Sequence, residues 1–332
     1  MSTPGALQGK ELIAATKRFA VEDRRRSWLN LSSTYLVLLL TLVAAAMPLY
    51  TPLRVLVSVI CGLVIVRTFM LFHDYVHGAI LRDSPLAGVL LKGFGFFVFT
   101  PPQNWRQSHN YHHAHTAQIV GSHVGSFALL TTSLWPTVTP AQRLAYRITR
   151  HPLTIAIGIL TLFIWGMTLA PFLRDRKKHV EALGSFAMHG VLAFLLIHFL
   201  GVAAWLYAIV LPLTLACALG GYMFYAQHNF PGMHIEPRQT WEYSRAALQS
   251  SSYMKTGRIM GWFTGNIGYH HVHHLNPSIP FYRLPEAMAA MPELQHPGTT
   301  SLWPRDIIAC FRLKLWDKEA GHMVGYPKQS QG

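Results

Sequence analysis

The chain has 332 residues, of which 51% are hydrophobic and 13% charged, about half the roughly 25% charged fraction of a soluble domain; an ordinary water-soluble globule is excluded. Its 28 Lys and Arg against 14 Asp and Glu give a net charge of +14, but the basic residues fall in short groups beside apolar runs, such as Arg24, Arg25, Arg26 and Arg174, Arg176, Lys177, Lys178. That placement is a positive-inside signal for a membrane protein and argues against nucleic acid as a partner.

Residues 1–29 are polar or mixed and read as a cytoplasmic N-terminal segment rather than a cleavable signal. Two apolar runs follow, 31–50 and 53–72, each long enough to cross a hydrocarbon core of roughly 30 Å. Only a short Pro-containing turn separates them, so 31–72 is expected to be a hairpin that returns to its starting side. The run 86–99 is too short to span and is expected along the interface or against the core. The run 151–173 could span by hydropathy, but a crossing there would put the later histidines on the opposite side from the earlier ones. It is therefore read as re-entrant or interfacial. A second hairpin is expected over 185–226, from runs 185–203 and 205–226. Residues 227–332 form a polar, Pro-rich cytoplasmic region. No repeat or linker divides the chain, so 1–332 reads as one domain, with 73–180 carrying the segments between the hairpins. The fold class is all-α: about four transmembrane helices in two hairpins, interfacial helices, and a cytoplasmic cap. The three cysteines, Cys61, Cys217 and Cys310, show no CxxC spacing and offer no thiolate metal site.

The 19 histidines are too many for so apolar a chain to carry without purpose, and most gather where the expected spans end. "HDYVH" supplies His73 and His77; "HNYHH" supplies His109, His112 and His113; "QHNF" supplies His228; "HHVHH" supplies His270, His273 and His274. Residues three and four apart on a helix share one face, so each group aims two or three imidazoles at one place. Neutral imidazole is a ligand for iron, copper, nickel or zinc. Nine converging histidines suggest two ions. His271 falls off the shared face and is set aside, as are His115, His123 and His234; His189 and His198 read as packed histidines within spans. Asp74, the acid embedded in the first group, is expected to accept the free N–H of a ligating histidine.

Taken together, "FHDYVHG", "WRQSHNYHH", "QHNF" and "GNIGYHHVHHLNPSIPFYRLPE" resemble the membrane fatty acid desaturases, particularly the bacterial acyl-lipid type, in order and spacing over roughly residues 60–290. The resemblance implies a di-iron centre of two non-haem Fe ions at the cytoplasmic face of the bacterial inner membrane. Its ligands would be His73, His77, His109, His112, His113, His228, His270, His273 and His274. It implies O2 as co-substrate, a fatty acyl lipid as substrate, and a double bond as product. The required electrons imply an external donor, a ferredoxin, flavodoxin or cytochrome, since no flavin, nicotinamide or iron–sulfur motif is present. Asn266 fits the last block. Desaturases that place an Asn four residues before the fourth-group histidine have Phe224 here, leaving Gln227 and Asn229 as replacement candidates. Trp105, Trp262, Phe263 and Tyr269 are candidates to line an acyl channel, or else interfacial belt residues. A related hydroxylase or ketolase acting on a carotenoid, sterol or alkane is the alternative activity, and a histidine-rich metal transporter or haem electron carrier is the alternative outside enzymes.

Overall fold

The structure, a computed structural model, describes residues 7–327; the ends of the expected domain, 1–6 and 328–332, lie outside the described residues. After the short helix α1 (Gly9–Thr16), the first hairpin pairs α2 (Arg24–Ala46) with α3 (Thr51–His77). Helix α2 begins earlier than the apolar run suggested. The Asp23 carboxylate accepts a hydrogen bond from the Arg26 amide at 3.0 Å, an N-cap that starts the helix at Arg24 and places the three arginines in its first turn. At the turn, the buried Arg54 guanidinium donates to the carbonyls of Ala45 and Ala46 at 2.7 and 2.9 Å, satisfying the open end of α2. Helix α3 stops at Gly78, whose φ of +71° is the left-handed cap that glycine adopts without strain.

Helix α4 (Pro85–Phe97) and helix α5 (Pro102–Ala114) meet at an 87° bend. The bend follows from "TPP", because proline cannot extend α4 but suits the first turn of α5. Helix α6 (Pro140–Thr149) leads into the apolar segment built of α7 (Pro152–Ala156), a π-wound stretch Ile159–Leu169, and α8 (Ala170–Arg174). Both ends of this segment lie on the histidine side. Arg150, before α7, bonds the Asn229 side chain at 2.5 Å, and at the far end the Asn104 amide on α5 donates to the Met167 carbonyl at 2.6 Å. Glu181 then caps α5, accepting from the Gln103 and Asn104 amides at 3.1 and 2.7 Å. Both ends of the segment are thus tied to elements that carry the histidine groups.

The second hairpin consists of α9 (Ala182–Leu200) and a bent helix formed by α10 (Val202–Trp205), a π turn Leu206–Val210, and α11 (Leu211–Gln227). Among the described residues, four helices are thus long and apolar enough to cross a membrane: Arg24–Ala46, Thr51–His77, Ala182–Leu200 and Val202–Gln227. Helices α3 and α11 pack so closely that a Cβ at Gly62 would sit 2.9 Å from the Pro212 carbonyl.

The cap is assembled from short pieces: α12 (Tyr243–Gln249), α13 (Gly257–Phe263), α14 (His270–Leu275), α15 (Leu284–Ala290) and α16 (Pro304–Arg312). Strands β1 (Tyr253–Lys255) and β2 (Thr299–Ser301) pair in parallel, while β3 (Leu315–Asp317) and β4 (His322–Val324) pair antiparallel. The Tyr282 hydroxyl accepts from the Asp23 amide at 3.0 Å, which seats the cap at the start of α2.

Candidate metal centre

Four elements that are distant in sequence deliver the imidazoles. Helix α3 ends on His73 and His77, one turn apart. Helix α5 presents His109, His112 and His113. His228 follows directly after α11. The short α14 then carries His270, His273 and His274. Its position depends on a tight backbone turn, because Gly265 and Asn266 both have positive φ, +52° and +54°. A Cβ at Gly265 would lie 2.7 Å from that of Met70, so glycine lets the cap close on α3.

The imidazoles form two groups. In one, His73, His77, His109, His113 and His273 bring one ring nitrogen each to within 4.8 Å of all the others; in the second, His112, His228 and His274 do the same. His270 completes the second, its Nε2 2.9 Å from Nε2 of His228. All nine sequence candidates therefore converge.

The nitrogen spacing tests whether ions fit. The Nε2 atoms of His73 and His109, of His109 and His113, and of His113 and His273 are each 3.1 Å apart, and those of His112 and His228 are 3.0 Å apart. An ion held by imidazole nitrogens at about 2.1 Å puts neighbouring ligands at right angles about 3.0 Å apart. His73 Nδ1 lies 3.0 Å from Asp74 Oδ1; with its proton donated to the carboxylate, its Nε2 is a bare lone pair facing His109. The buried Nε2 atoms of His77 and His274 have no hydrogen-bond partner, a costly arrangement for polar atoms unless a Lewis acid takes them. The residues fit a metal pair.

Electrostatics favour the ligand-competent form. Burial pushes the His228 pKa down to about 4, and burial together with neighbouring imidazoles holds His270, His273 and His274 well below the ordinary value. They are neutral at pH 7, as metal binding requires. Neither group includes a carboxylate, so this is an all-imidazole site, unlike the Glu-rich centres of ferritin-like bundles.

The surroundings correct several expectations. Asp74 does contact a histidine, and its second oxygen accepts from the Phe281 amide at 2.6 Å, joining the first and last histidine groups. Gln227 instead donates to the Ile267 carbonyl at 2.7 Å. Asn229 donates to the Cys310 carbonyl at 2.7 Å and accepts from Arg150, and Asn266 donates to the Phe281 carbonyl at 3.2 Å. These three amides hold backbone in place and touch no clustered imidazole, because each lies where a loop carbonyl competes for its N–H. Two groups that sequence reasoning missed do the orienting: the Ser250 carbonyl lies 3.1 Å from His228 Nδ1 and the Thr116 hydroxyl 3.1 Å from His274 Nδ1. A backbone carbonyl leaves no sequence signal; Thr116, four residues after His112, shares its face.

Among the aromatic candidates, Trp105 stacks on His109, with centroids 4.3 Å apart and planes 16° apart. The others sit elsewhere: Trp262 lies under the Arg67 guanidinium, Phe263 packs on Trp262, and Tyr269 packs on Tyr253. Phe224, at the position where some desaturases have Asn, packs its ring 5.1 Å from that of His112 and 5.4 Å from that of His228. His271 turns away to the Leu294 carbonyl at 3.2 Å, and His189 bonds the Phe97 carbonyl at 2.8 Å.

Comparison with known proteins agrees with this geometry. The family model for fatty acid desaturase matches residues 50–305. A fatty acid desaturase of Bacillus subtilis is 27% identical over 321 residues, covering 96% of this chain and 90% of its own. The sn-1 oleoyl-lipid 12-desaturase of Synechocystis is 24% identical, over 70% of this chain and 66% of its own. A chloroplastic omega-6 fatty acid desaturase of Arabidopsis thaliana is 21% identical, over 70% of this chain and 52% of its own. The four histidine groups, the four membrane-length helices and a match over most of the sequence lead to one conclusion: the chain belongs to the fatty acid desaturase family, oxidoreductases that act on fatty acyl chains.

Proposed function

We propose that the nine histidines hold two non-haem irons and that the enzyme inserts a double bond into the acyl chain of a membrane lipid, in an O2-dependent reaction. The observation that carries this reading is the pair of all-imidazole groups, spaced for ions, at the shared end of α3 and α11. Two iron ions bound there would supply the O2 activation needed to break an unactivated C–H bond, which no side-chain acid or base can do. The reaction balances as –CH2–CH2– plus O2, two electrons and two protons, giving –CH=CH– and two waters. The electrons come from an external ferredoxin, flavodoxin or cytochrome, to which the basic chain offers electrostatic complementarity.

The chain's own residues position and insulate. Asp74, Ser250 and Thr116 fix ring orientation; Trp105 and Phe224 cover imidazoles with apolar surface that keeps bulk water off. Positioning is decisive, since a displacement of about 1 Å can cost on the order of 100-fold in rate. Arg24 to Arg26, at the same end of the molecule as the histidines, support a site on the cytoplasmic face of a bacterial inner membrane, by the positive-inside pattern. The test is expression in a host that lacks the activity, with mass analysis of total lipids. New acyl chains lighter by two hydrogens are expected; chains gaining oxygen would replace this reading with a hydroxylase or ketolase.

A further inference from the structure

Helix α6 and two elements of the cap expose large apolar side chains. On α6, Leu144 and Ile148 are 59% and 54% exposed; on α13, Ile259 and Trp262 are 77% and 44% exposed; at α16, Trp303 and Ile308 are 71% and 50% exposed. Each pair is flanked by cations: Arg143 and Arg147, Lys255 and Arg258, Arg305 and Arg312. Apolar anchors bordered by Lys and Arg are the pattern of a helix lying in the boundary between headgroups and acyl chains.

The height of these elements agrees. A hydrocarbon core of roughly 30 Å takes about 20 helical residues. Counted from Thr51 and Val202, where the helices enter, it ends near residue 71 on α3 and near 222 on α11. Those are the docking levels. The Trp262 carbonyl accepts from Arg67 Nη1 at 2.5 Å, with the guanidinium 4.0 Å over the indole ring. The Tyr222 hydroxyl donates to the Ser301 carbonyl at 3.4 Å, two residues before Trp303. A Cβ at Gly221 would lie 3.7 Å from Ile155 of α7, which continues from α6. The exposed apolar surface also runs on from Ile148 through Leu153, Ile157 and Leu160 of the apolar segment that follows.

We propose that α6 and the cap helices α13 and α16 rest in the bilayer boundary at three points, so that the partner of this surface is the lipid membrane and the depth of the histidine groups is fixed from three sides. Arg67, buried in α3 and bonded to Thr34 and Asn30 as well as to Trp262, is the rivet that holds α13 at that level.

The experiment uses the full-length protein in lipid nanodiscs, spin-labelled at Ile148→Cys, Ile259→Cys or Ile308→Cys. The native Cys61, Cys217 and Cys310 are buried, so unsubstituted protein serves as the labelling blank. Leu40→Cys on the outer face of α2 is the lipid reference and Arg238→Cys the water reference. Collision with oxygen and with a water-soluble nickel chelate is read by EPR. The three sites are expected to show oxygen-to-nickel collision ratios several-fold above the Arg238 site and near the Leu40 site. A water-like ratio at any one of them overturns the three-point seating. Exclusion of both probes with spin–spin broadening overturns it too, since a second copy of the chain would then cover the face.

Discussion

Replacing Asp74 tests how the first and last histidine groups are tied together. Its carboxyl group accepts hydrogen bonds from His73 Nδ1–H at 3.0 Å through one oxygen and from the Phe281 amide at 2.6 Å through the other. Asp74→Asn retains one acceptor for His73 and replaces the second acceptor with an amide that faces the Phe281 N–H donor to donor. Asp74→Ala removes both contacts. Losing the carboxyl group that orients a ligating imidazole costs about 10–100-fold in metal affinity. The Asn variant is expected near the lower end of that range and the Ala variant near the upper, about 1.4 and 2.7 kcal/mol respectively. The assay is iron(II) binding by full-length protein in micelles against a chelator buffer, alongside a thermal melt that separates weakened binding from unfolding. An Asp74→Ala protein that melts normally and binds iron as tightly as the parent would refute this role.

Three further outcomes follow from the geometry. His113→Ala, whose Nε2 contacts those of both His109 and His273, should abolish new double bonds in host lipids, whereas His271→Ala should retain most activity because its ring faces the Leu294 carbonyl; equal loss in both would contradict the ligand assignment. The buried histidines should also make stability pH-dependent. His228 has a folded-state pKa of about 4 against an ordinary 6.5, and His270, His273 and His274 are depressed as well. Below pH 6.5 the unfolded chain therefore binds more protons than the folded one, so their contribution is complete above 6.5 and is lost as pH falls toward 4. Melting temperature and bound metal should both decline across that window, and a flat profile would count against buried neutral imidazoles. Finally, a Cβ at Gly268 would collide with the Met254 carbonyl oxygen, so Gly268→Ala should destabilise the cap by about 1–3 kcal/mol, seen as a lower melting temperature.

Much of this site was legible in the sequence because i, i+3 and i+4 spacing survives folding wherever the residues are helical. His109, His112 and His113 share a face of α5, and the same periodicity excluded His271. The two hairpins were legible too, since hydropathy marks the four membrane-length helices, and α3 and α11 bring His73 and His228 to one end of the bundle. Polar neighbours were not legible. Gln227, Asn229 and Asn266 stand next to the motifs but are occupied by nearby carbonyls, while the orienting carbonyl of Ser250 belongs to the backbone and carries no residue signature. The start of α2 was missed because hydropathy locates lipid-facing residues, whereas Asp23 sets the helix end through a single hydrogen bond. The aromatic candidates divided for a similar reason: composition marks Trp105 and Trp262 alike, and only packing shows that one stacks on a histidine and the other on an arginine.

The central claim is that nine imidazoles hold two ions, and the most direct measurement is the metal content of protein purified from iron-replete cells, by elemental mass spectrometry against quantified chain. About two irons per chain are expected, falling in His113→Ala and unchanged in His271→Ala. A parent protein that carries no iron after anaerobic reconstitution, or a His113→Ala protein that still carries two, would contradict the account.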